Sequence, residues 1–429
     1  MPPISPRLSR SLAAVAAAAA AAPLALLPAP TWAAEIKGQV ICGYQGWFRT
    51  PDDGGETGWH HYGGREFAPG RCGIEIWPDV SELPAAARVD TAFRKPGGSV
   101  AQVFSSLSPD AADLHFRWMK EYGIGGVFLQ RFAVTAQDGR YRRGMDIVLQ
   151  NVARSARDHG RCWGVMYDLS GLKPGRASVV IDDWKRIKAA AGAGDLAAHP
   201  NYLEHGGKPL VALWGAGFSD RDPMWQDWRA LVKFFREDQK CAVLLGVPTY
   251  WREGVRDALP GGELRELIAS ADIVSPWTVG RYGDPEGARR HAEKAAAADL
   301  DWCRERGLAY LPVVFPGFSW SNLEHSRGRE AKFDQIPRRG GRFLWAQCRA
   351  NVAAGAEMLY VAMFDELDEA TAIMKWDPDP PAGESRFLSE KGVPNDRYLR
   401  LAGQAGHLLR GQSVEERDGL PAAVLDSPK

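Results

Sequence analysis

Residues 357–371 read Glu-Met-Leu-Tyr-Val-Ala-Met-Phe-Asp-Glu-Leu-Asp-Glu-Ala-Thr. An apolar run with aromatic and branched members, Glu357 to Phe364, leads directly into the carboxylates Asp365, Glu366, Asp368 and Glu369. A run of that length bounded by polar residues reads as a buried strand. Earlier runs have the same form: Gln39 to Tyr44, Gly125 to Gln130, Cys162 to Tyr167, Pro209 to Leu213, Cys241 to Val247, Ile273 to Trp277 and Ala309 to Phe315. Amphipathic stretches lie between them, among them Asp110 to Tyr122, Met145 to His159, Trp225 to Asp238, Gly287 to Arg306 and Arg342 to Ala354, the last stopped by Gly355. Strand then helix, eight times over, predicts an α/β fold of the (β/α)8 TIM-type barrel, one domain over residues 35–410. The spacing also permits a doubly wound open sheet, but no glycine-rich phosphate loop follows the first run, which counts against a nucleotide-binding sheet.

At the N-terminus, Arg7 and Arg10 precede an alanine- and leucine-rich run from Leu12 to Leu27, followed by Pro28, Pro30, Ala33 and Ala34. That is the layout of a secretory signal peptide over residues 1–34, and it predicts export to the periplasm or the exterior. A membrane anchor is the alternative, but Pro23 and Pro28 interrupt the run and alanine is weakly apolar, so no stable membrane insertion is expected. The insertion from Trp47 to Leu107, after the first strand, contains Trp59, His60, His61 and Tyr62 and an apolar stretch at Val100 to Phe104 that predicts an extra strand. A loop of that size is usually functional. Pro378 to Gly383 reads as a surface connection, and residues 411–429 as a loose C-terminal tail.

Lys plus Arg equals Asp plus Glu at 53 each, so no net field draws nucleic acid or an acidic membrane, and an uncharged partner is expected. The chain has 16 Trp, whose flat faces suit the C–H faces of sugars as well as a core. The six cysteines, Cys42, Cys72, Cys162, Cys241, Cys303 and Cys348, have no metal-knuckle or redox spacing; disulfides stay open, while Cys162 and Cys241 begin apolar runs and read as buried thiols.

In such barrels the site forms at the C-terminal ends of the strands. There stand Tyr44, Gln45 and Trp47; Gln130 and Arg131; Tyr167 and Asp168; Trp214; Thr249, Tyr250, Trp251 and Arg252; Trp277; Phe318 and Trp320; and finally Asp365 and the acidic segment. His60 and Tyr62 of the insertion would line the same cleft. Aromatics around several carboxylates make a layout for cleaving saccharides. Cleavage of a glycosidic bond needs one carboxyl to protonate the leaving oxygen and a second on the other side of the anomeric carbon. Glu366 and Glu369 would face one cavity if the segment turned helically; the alternatives are that the cluster caps a following helix or is simply solvated. The acidic cluster could hold Ca2+ and His60-His61 a transition metal, yet neither has a metal-specific spacing, and no metal is assigned. Asp168 either pairs with Arg131 or holds a substrate hydroxyl. Trp251-Arg252 and Trp320 divide between stacking platforms and packing, Trp320 favoured as a platform by the irregular Pro316-Gly317 beside it. Arg338-Arg339 reads as a solvated pair before a contact to an anionic sugar.

The string Phe364-Asp365-Glu366-Leu367-Asp368-Glu369-Ala370-Thr371-Ala372-Ile373 resembles the Phe-Asn-Glu-Trp-His-Glu-Gly-Thr-Gln-Ile segment of the endo-α-mannosidases of glycoside hydrolase family 99. Tyr44, Tyr167-Asp168 and the strand order are similar to that family and to the α-1,3-glucanases of family 71. Gly-Tyr-Gln-Gly-Trp at 43–47 and Val-Phe-Pro-Gly-Phe-Ser-Trp at 314–320 are closer to bacterial 71/99-like proteins loosely labelled xylosidases. The resemblance implies a retaining hydrolase of α-linked poly- or oligosaccharides, endo-acting and without a cofactor. It makes Glu369 the general acid and base, and Glu366 the group that assists the substrate 2-hydroxyl through an anhydro-sugar. Leu367 and Asp368 replace the family's Trp and His, and Ala370 and Ala372 its Gly and Gln, so the sugar contacts differ. A non-catalytic glycan-binding barrel is the rival: the altered Trp-His pair favours it, and retention of both glutamates opposes it. A glycosidase of α-1,3-glucan or xylan type is the other alternative.

Overall fold

A computed structural model describes residues 35–190 and 199–426; the leader read at 1–34 lies outside them. The apolar runs form strands because valine, leucine and isoleucine occupy both faces, as a sheet covered on both sides requires. In chain order they are β1 (Val40–Tyr44), β2 (Val89–Arg94), β3 (Val100–Val103), β4 (Gly126–Phe132), β5 (Cys162–Asp168), β6 (Glu204–His205), β7 (Lys208–Trp214), β8 (Ala242–Pro248), β9 (Ile273–Trp277), β10 (Ala309–Tyr310), β11 (Val313–Val314) and β12 (Leu359–Val361). A curled parallel sheet runs β10-β9-β8-β7-β5-β4-β1-β12-β11, with helices packed on its outside, giving a TIM-like α/β fold. β6 adds antiparallel to β7, and β2 and β3 make a separate antiparallel pair. The expected strand Ala309 to Phe315 is divided at Leu311 and Pro312. Leu311 N still donates to Val274 O at 2.9 Å, and Pro312 O accepts from Tyr360 N at 3.0 Å, so the two ends of the path are two residues apart in the chain. Proline has no N–H to continue a ladder.

Alternation along the strands separates two apolar layers. Ile41, Phe128, Met166, Leu210, Ala212, Leu244, Ile273 and Tyr360 pack together inside the sheet. Their neighbours Cys42, Val127, Leu129, Val165, Tyr167, Val211 and Val243 pack outward against the helices. In the β4–β5 register Arg131 lies beside Tyr167 and Phe132 beside Asp168. Arg131 and Asp168 therefore point to opposite faces, and the expected ion pair between them does not form. Instead Arg131 Nε and Nη2 donate to Asp183 Oδ2 and Oδ1, both at 2.8 Å, and Nη2 reaches Asp146 Oδ1 at 3.0 Å. Both acids belong to covering helices, Gly139–His159 and Ala177–Ala190. Tyr167 OH donates to Asp183 Oδ2 at 2.8 Å.

The tail read as loose carries regular structure over residues 416–425. Strands β13 (Glu416–Arg417) and β14 (Leu420–Pro421) pair antiparallel, and a short helix, Ala422–Leu425, follows. Leu420 and Val424 are buried, and Trp345 Nε1 donates to Glu416 Oε1 at 2.9 Å. The hairpin turns at Asp418-Gly419, both at positive φ (54° and 73°), which is a strong local hairpin signal in sequence. All six cysteines are buried. Among the described residues no helix is long and apolar enough to cross a membrane.

Asp183 is buried, and burial alone would push its carboxyl up; hydrogen bonds and charge from Arg131, with Arg186 and Tyr167, hold it below the usual value. Its contribution to stability is thus present above the ordinary carboxylate pKa and is lost as pH falls through the folded value. Asp183→Ala leaves Arg131 with only Asp146 as an ionic partner and should destabilise the fold by about 3–5 kcal/mol. The shift of the urea unfolding midpoint at pH 7 measures it, and a shift worth under 1 kcal/mol would refute the estimate.

Candidate functional site

Beyond β12 the chain doubles back on itself instead of entering a helix. Phe364 N donates to Gly43 O at 2.8 Å, Met363 N to Thr371 O at 3.1 Å and Ala372 N to Glu366 O at 2.9 Å. The reversal runs through a turn at residues 367–370, where Ala370 takes the left-handed region at φ 56°. The family segment has glycine at this point, the residue for which that conformation carries no penalty. The next helix begins at Arg397, so the acidic cluster caps none, and it is not solvated either. Asp365, Glu366 and Asp368 are buried and Glu369 is half-buried.

Each acid has its own environment. Asp365 Oδ1 and Oδ2 accept from the backbone N–H of Gln45 (2.7 Å) and Gly46 (2.9 Å), so this residue joins the end of β1 to the acidic turn. Burial nevertheless pushes its carboxyl up to about 7. Glu366 Oε2 accepts from Gln45 Nε2 at 2.5 Å. Burial, then the charge of Asp368 and the hydrogen bond it accepts, raise Glu366 well above the ordinary range. Burial would also raise Asp368, but hydrogen bonds from Glu366 and His61 prevail and hold it low. His61 Nδ1 lies 2.8 Å from Asp368 Oδ2, and its ring stacks on Trp47 with centroids 3.7 Å apart. Glu366 and Asp368 thus titrate as a pair, with proton affinity raised at Glu366 and lowered at Asp368. Glu369 is pushed up to about 7 by burial and by Asp368.

Glu75, from the segment between β1 and β2, completes the frame and was not singled out in the sequence. Its N–H donates to Leu367 O at 2.9 Å. Its carboxylate accepts from Ser319 Oγ at 2.5 Å and from Asn322 N. Ser319 N in turn donates to Glu369 O at 3.1 Å. One buried acid therefore holds the acidic turn against the loop after β11. A lone glutamate at 75, in a stretch with no strand or helix pattern, offers no local signal for this.

Next to Gln45 opens a cavity of about 270 Å3 lined by Trp47, His60, Gln130, Phe132, Thr57, Tyr141 and their neighbours. Four of its buried polar atoms, Gln45 Oε1, Trp47 Nε1, Thr57 Oγ1 and Gln130 Oε1, have no protein partner. Buried polar groups are nearly always bonded, so such a group of orphans marks a place for a hydroxylated ligand or water. Of the residues expected to contact substrate, Trp47, His60 and Gln130 meet here. His60 is held neutral near pH 7, since burial and His61 push it down to about 4. Its Nδ1 lies 3.2 Å from Trp47 O, and His61 Nδ1 faces Asp368, so the two rings do not converge on a common point.

Trp214 and Trp277 form an edge-to-face pair at 5.3 Å on the inner side, with Asp168 beside Trp214 in the register. Asp168 Oδ1 accepts from Ser170 N at 2.7 Å. Trp320 packs edge-on to Phe318 at 5.3 Å, and the indole N–H of Trp320, like that of Trp214, is buried without a partner. Four expected contacts are corrected by burial. Tyr44 and Tyr167 lie on the helix side of their strands, Tyr44 OH being 2.8 Å from His115 Nδ1 and Tyr167 bonded to Asp183. Tyr62 OH donates to Phe104 O at 2.8 Å inside the insertion core, and Trp251 Nε1 donates to Asp299 at 3.2 Å. Each is buried from solvent. Tyr250 sits apart, its OH accepting from Arg256 Nη1 at 2.7 Å. Arg338 is buried, its Nη2 bonded to Ala372 O at 2.9 Å, so it is not one of a solvated pair.

No family model and no curated protein matches the sequence. The fold is similar to that of the GH99 endo-α-mannosidase from Bacteroides thetaiotaomicron. Its complex with bis-tris-propane has a TM-score of 0.60 at 13% identity, over 88% of this chain and 98% of that one. A second structure of that enzyme gives 0.59 at 14% identity, with the same coverage. At these identities the likeness is one of fold.

Glu75, Asp365 and Glu369 each have a folded-state value of about 7, above that of an unfolded carboxyl. The stability they confer is full below the unfolded value and is lost as pH rises through about 7. Glu75→Gln keeps an acceptor for Asn322 N and lets the Ser319 hydroxyl reverse its bond. This variant should lose less stability than wild type between pH 5 and pH 8, as urea unfolding would show; equal losses would exclude Glu75 as a source of the slope.

Proposed function

We propose that the protein is a retaining glycoside hydrolase acting on an α-linked poly- or oligosaccharide. Its sheet is read as a (β/α)8 barrel with the seventh position divided at Leu311-Pro312. The observation that carries the proposal is the acidic turn: Glu366 and Glu369, both raised, stand at the C-terminal edge of the sheet, and Glu366 is bonded to Gln45, which lines a cavity whose unpartnered polar atoms suit a polyol. A purely binding protein has no use for carboxyls kept protonated in this way, whereas an acid catalyst near neutral pH requires one. The leader read at residues 1–34 fits a polymeric substrate met outside the cytoplasm.

In this reading Glu369 donates its proton to the departing glycosidic oxygen. The Glu366–Asp368 pair, carrying one proton and one negative charge, accepts the proton of the substrate 2-hydroxyl as O2 closes on the anomeric carbon. Glu369, now ionised, then takes a proton from water as that water opens the anhydro ring, and the 2-hydroxyl regains its proton from the pair. Two displacements give retention. His61 and Gln45 position the pair from its two ends.

Glu369→Gln and Glu366→Gln should each lower kcat by roughly 100- to 10,000-fold on the α-mannan, α-1,3-glucan or xylan-type oligosaccharide that the wild type cleaves. The wild-type rate should fall as pH rises through about 7, where Glu369 loses its proton, and Glu369→Gln should lack that limb. Undiminished turnover in both variants would overturn the assignment. Binding without turnover in the wild type would favour a glycan-binding protein.

A further inference from the structure

The cavity beside Gln45 contains a charge that the acidic turn does not explain. Arg49 lines it and is only 5% exposed. Its guanidinium has no hydrogen bond or ion pair with any described residue, and Nη1 is fully enclosed. Asp53 is the nearest acid to influence it, but the Asp53 oxygens are taken by Thr50 N, Gly55 N and Ser105 Oγ. Burial pushes Arg49 down to about 10, so it stays charged at neutral pH. Arg140 also lines the cavity, and no carboxylate does. Asp53 thus acts on Arg49 only through space and makes no direct ion pair with it, an arrangement in which a buried guanidinium is costly.

The fold also makes room for it deliberately. Gly144 lies within the helix Gly139–His159, where glycine is otherwise unfavourable. A Cβ there would fall 2.7 Å from Arg49 Nη2 and 3.2 Å from Cζ, so only glycine lets the guanidinium lie against the helix backbone. The four neutral orphan atoms line the same cavity.

From this arrangement we infer that the cavity is a subsite for a sugar unit bearing an oxyanion, a carboxylate or a sulfate ester, which pairs with Arg49 while its hydroxyls meet Gln45, Trp47, Thr57 and Gln130. The guanidinium fork matches a planar carboxylate in bidentate fashion and also accommodates a sulfate. A neutral sugar could accept hydrogen bonds from Arg49 but would leave its charge uncompensated. The inference rests on the glycosidase reading and narrows its substrate to an acidic glycan, against the uncharged partner that the overall charge balance suggests.

The test is an NMR titration of the full chain with methyl α-glycosides of glucose, galactose and mannose, their uronates and their 6-sulfates. An oxyanion-bearing member should bind at least about tenfold more tightly than its neutral parent, and the preference should shrink as salt is raised. The uronate and sulfate arms distinguish the two sources of negative charge. Arg49→Gln should abolish the preference while its melting temperature stays at or above wild type, because an unpaired buried charge is removed; a structural arginine would lower it. Gly144→Ala, which displaces the guanidinium, should weaken the acidic sugar with Arg49 still present. Equal or tighter binding of the neutral parents in every configuration, or an unchanged preference in Arg49→Gln, would overturn the inference. Turnover of neutral glycans that depends on Glu369, with no acidic preference, would leave the glycosidase reading standing alone. An Arg49-dependent preference without turnover would do the reverse.

Discussion

The two hydrogen bonds that Asp365 accepts from Gln45 N and Gly46 N hold the site together. They join the loop leaving the first strand to the turn leaving the last, across adjacent strands of the sheet. With the Gln45 backbone fixed, its amide has one end against Glu366 and the other toward the cavity. Gly46 follows at positive φ and directs the chain to Trp47, whose ring supports His61 against Asp368. The protonation of the Glu366–Asp368 pair and the shape of the adjoining cavity therefore share one buried anchor. Its own raised carboxyl is the consequence of placing that anchor where water does not reach.

Period-two alternation decides which strand-end residues can take part. Gln130 and Asp168 face inward and Arg131 and Tyr167 outward, although all four are polar or aromatic and stand at the same level of the sheet. The outward set builds a buried charge network that fixes two helices, and the inward set faces the cleft. A covered parallel sheet hides this distinction, because both faces are apolar and no hydrophobic alternation appears in the sequence. Counting in twos from an inner residue such as Met166 would have separated Tyr167 from Asp168.

The strand-helix order was legible throughout, with most boundaries shifted by a residue or two and the helix expected from Met145 starting at Gly139, because each strand is a short apolar run and each helix has a polar face. The exceptions have local causes. Pro312 splits one strand, and the eighth ends at Val361, before the acidic turn begins to bond with itself. The acidic cluster at the end of the last strand was also legible, but its conformation was not: a left-handed alanine at 370 and a reversal pinned by Glu75 depend on a segment some 290 positions earlier in the sequence. Tyr62 and Trp251 misled for the opposite reason. Their composition suits a sugar platform, yet a loop with its own core uses aromatics in the same way, as the packing of Tyr62 against Phe48 and Phe67 illustrates.

The site concentrates groups that the rest of the molecule avoids. Glu75, Asp365, Glu366 and Glu369 are all raised by burial, and Arg49 is lowered by it while staying charged at neutral pH. None of these groups stabilises the empty protein at neutral pH as an apolar residue of the same volume would. What sustains them is the pair of apolar layers on the two faces of the sheet, which have no such conflicts. The acids on the turn and the arginine in the cavity are separated by Gln45, a neutral residue that keeps the two signs of charge from cancelling. Raised carboxyls thus stand on one side of Gln45 and a charged guanidinium on the other.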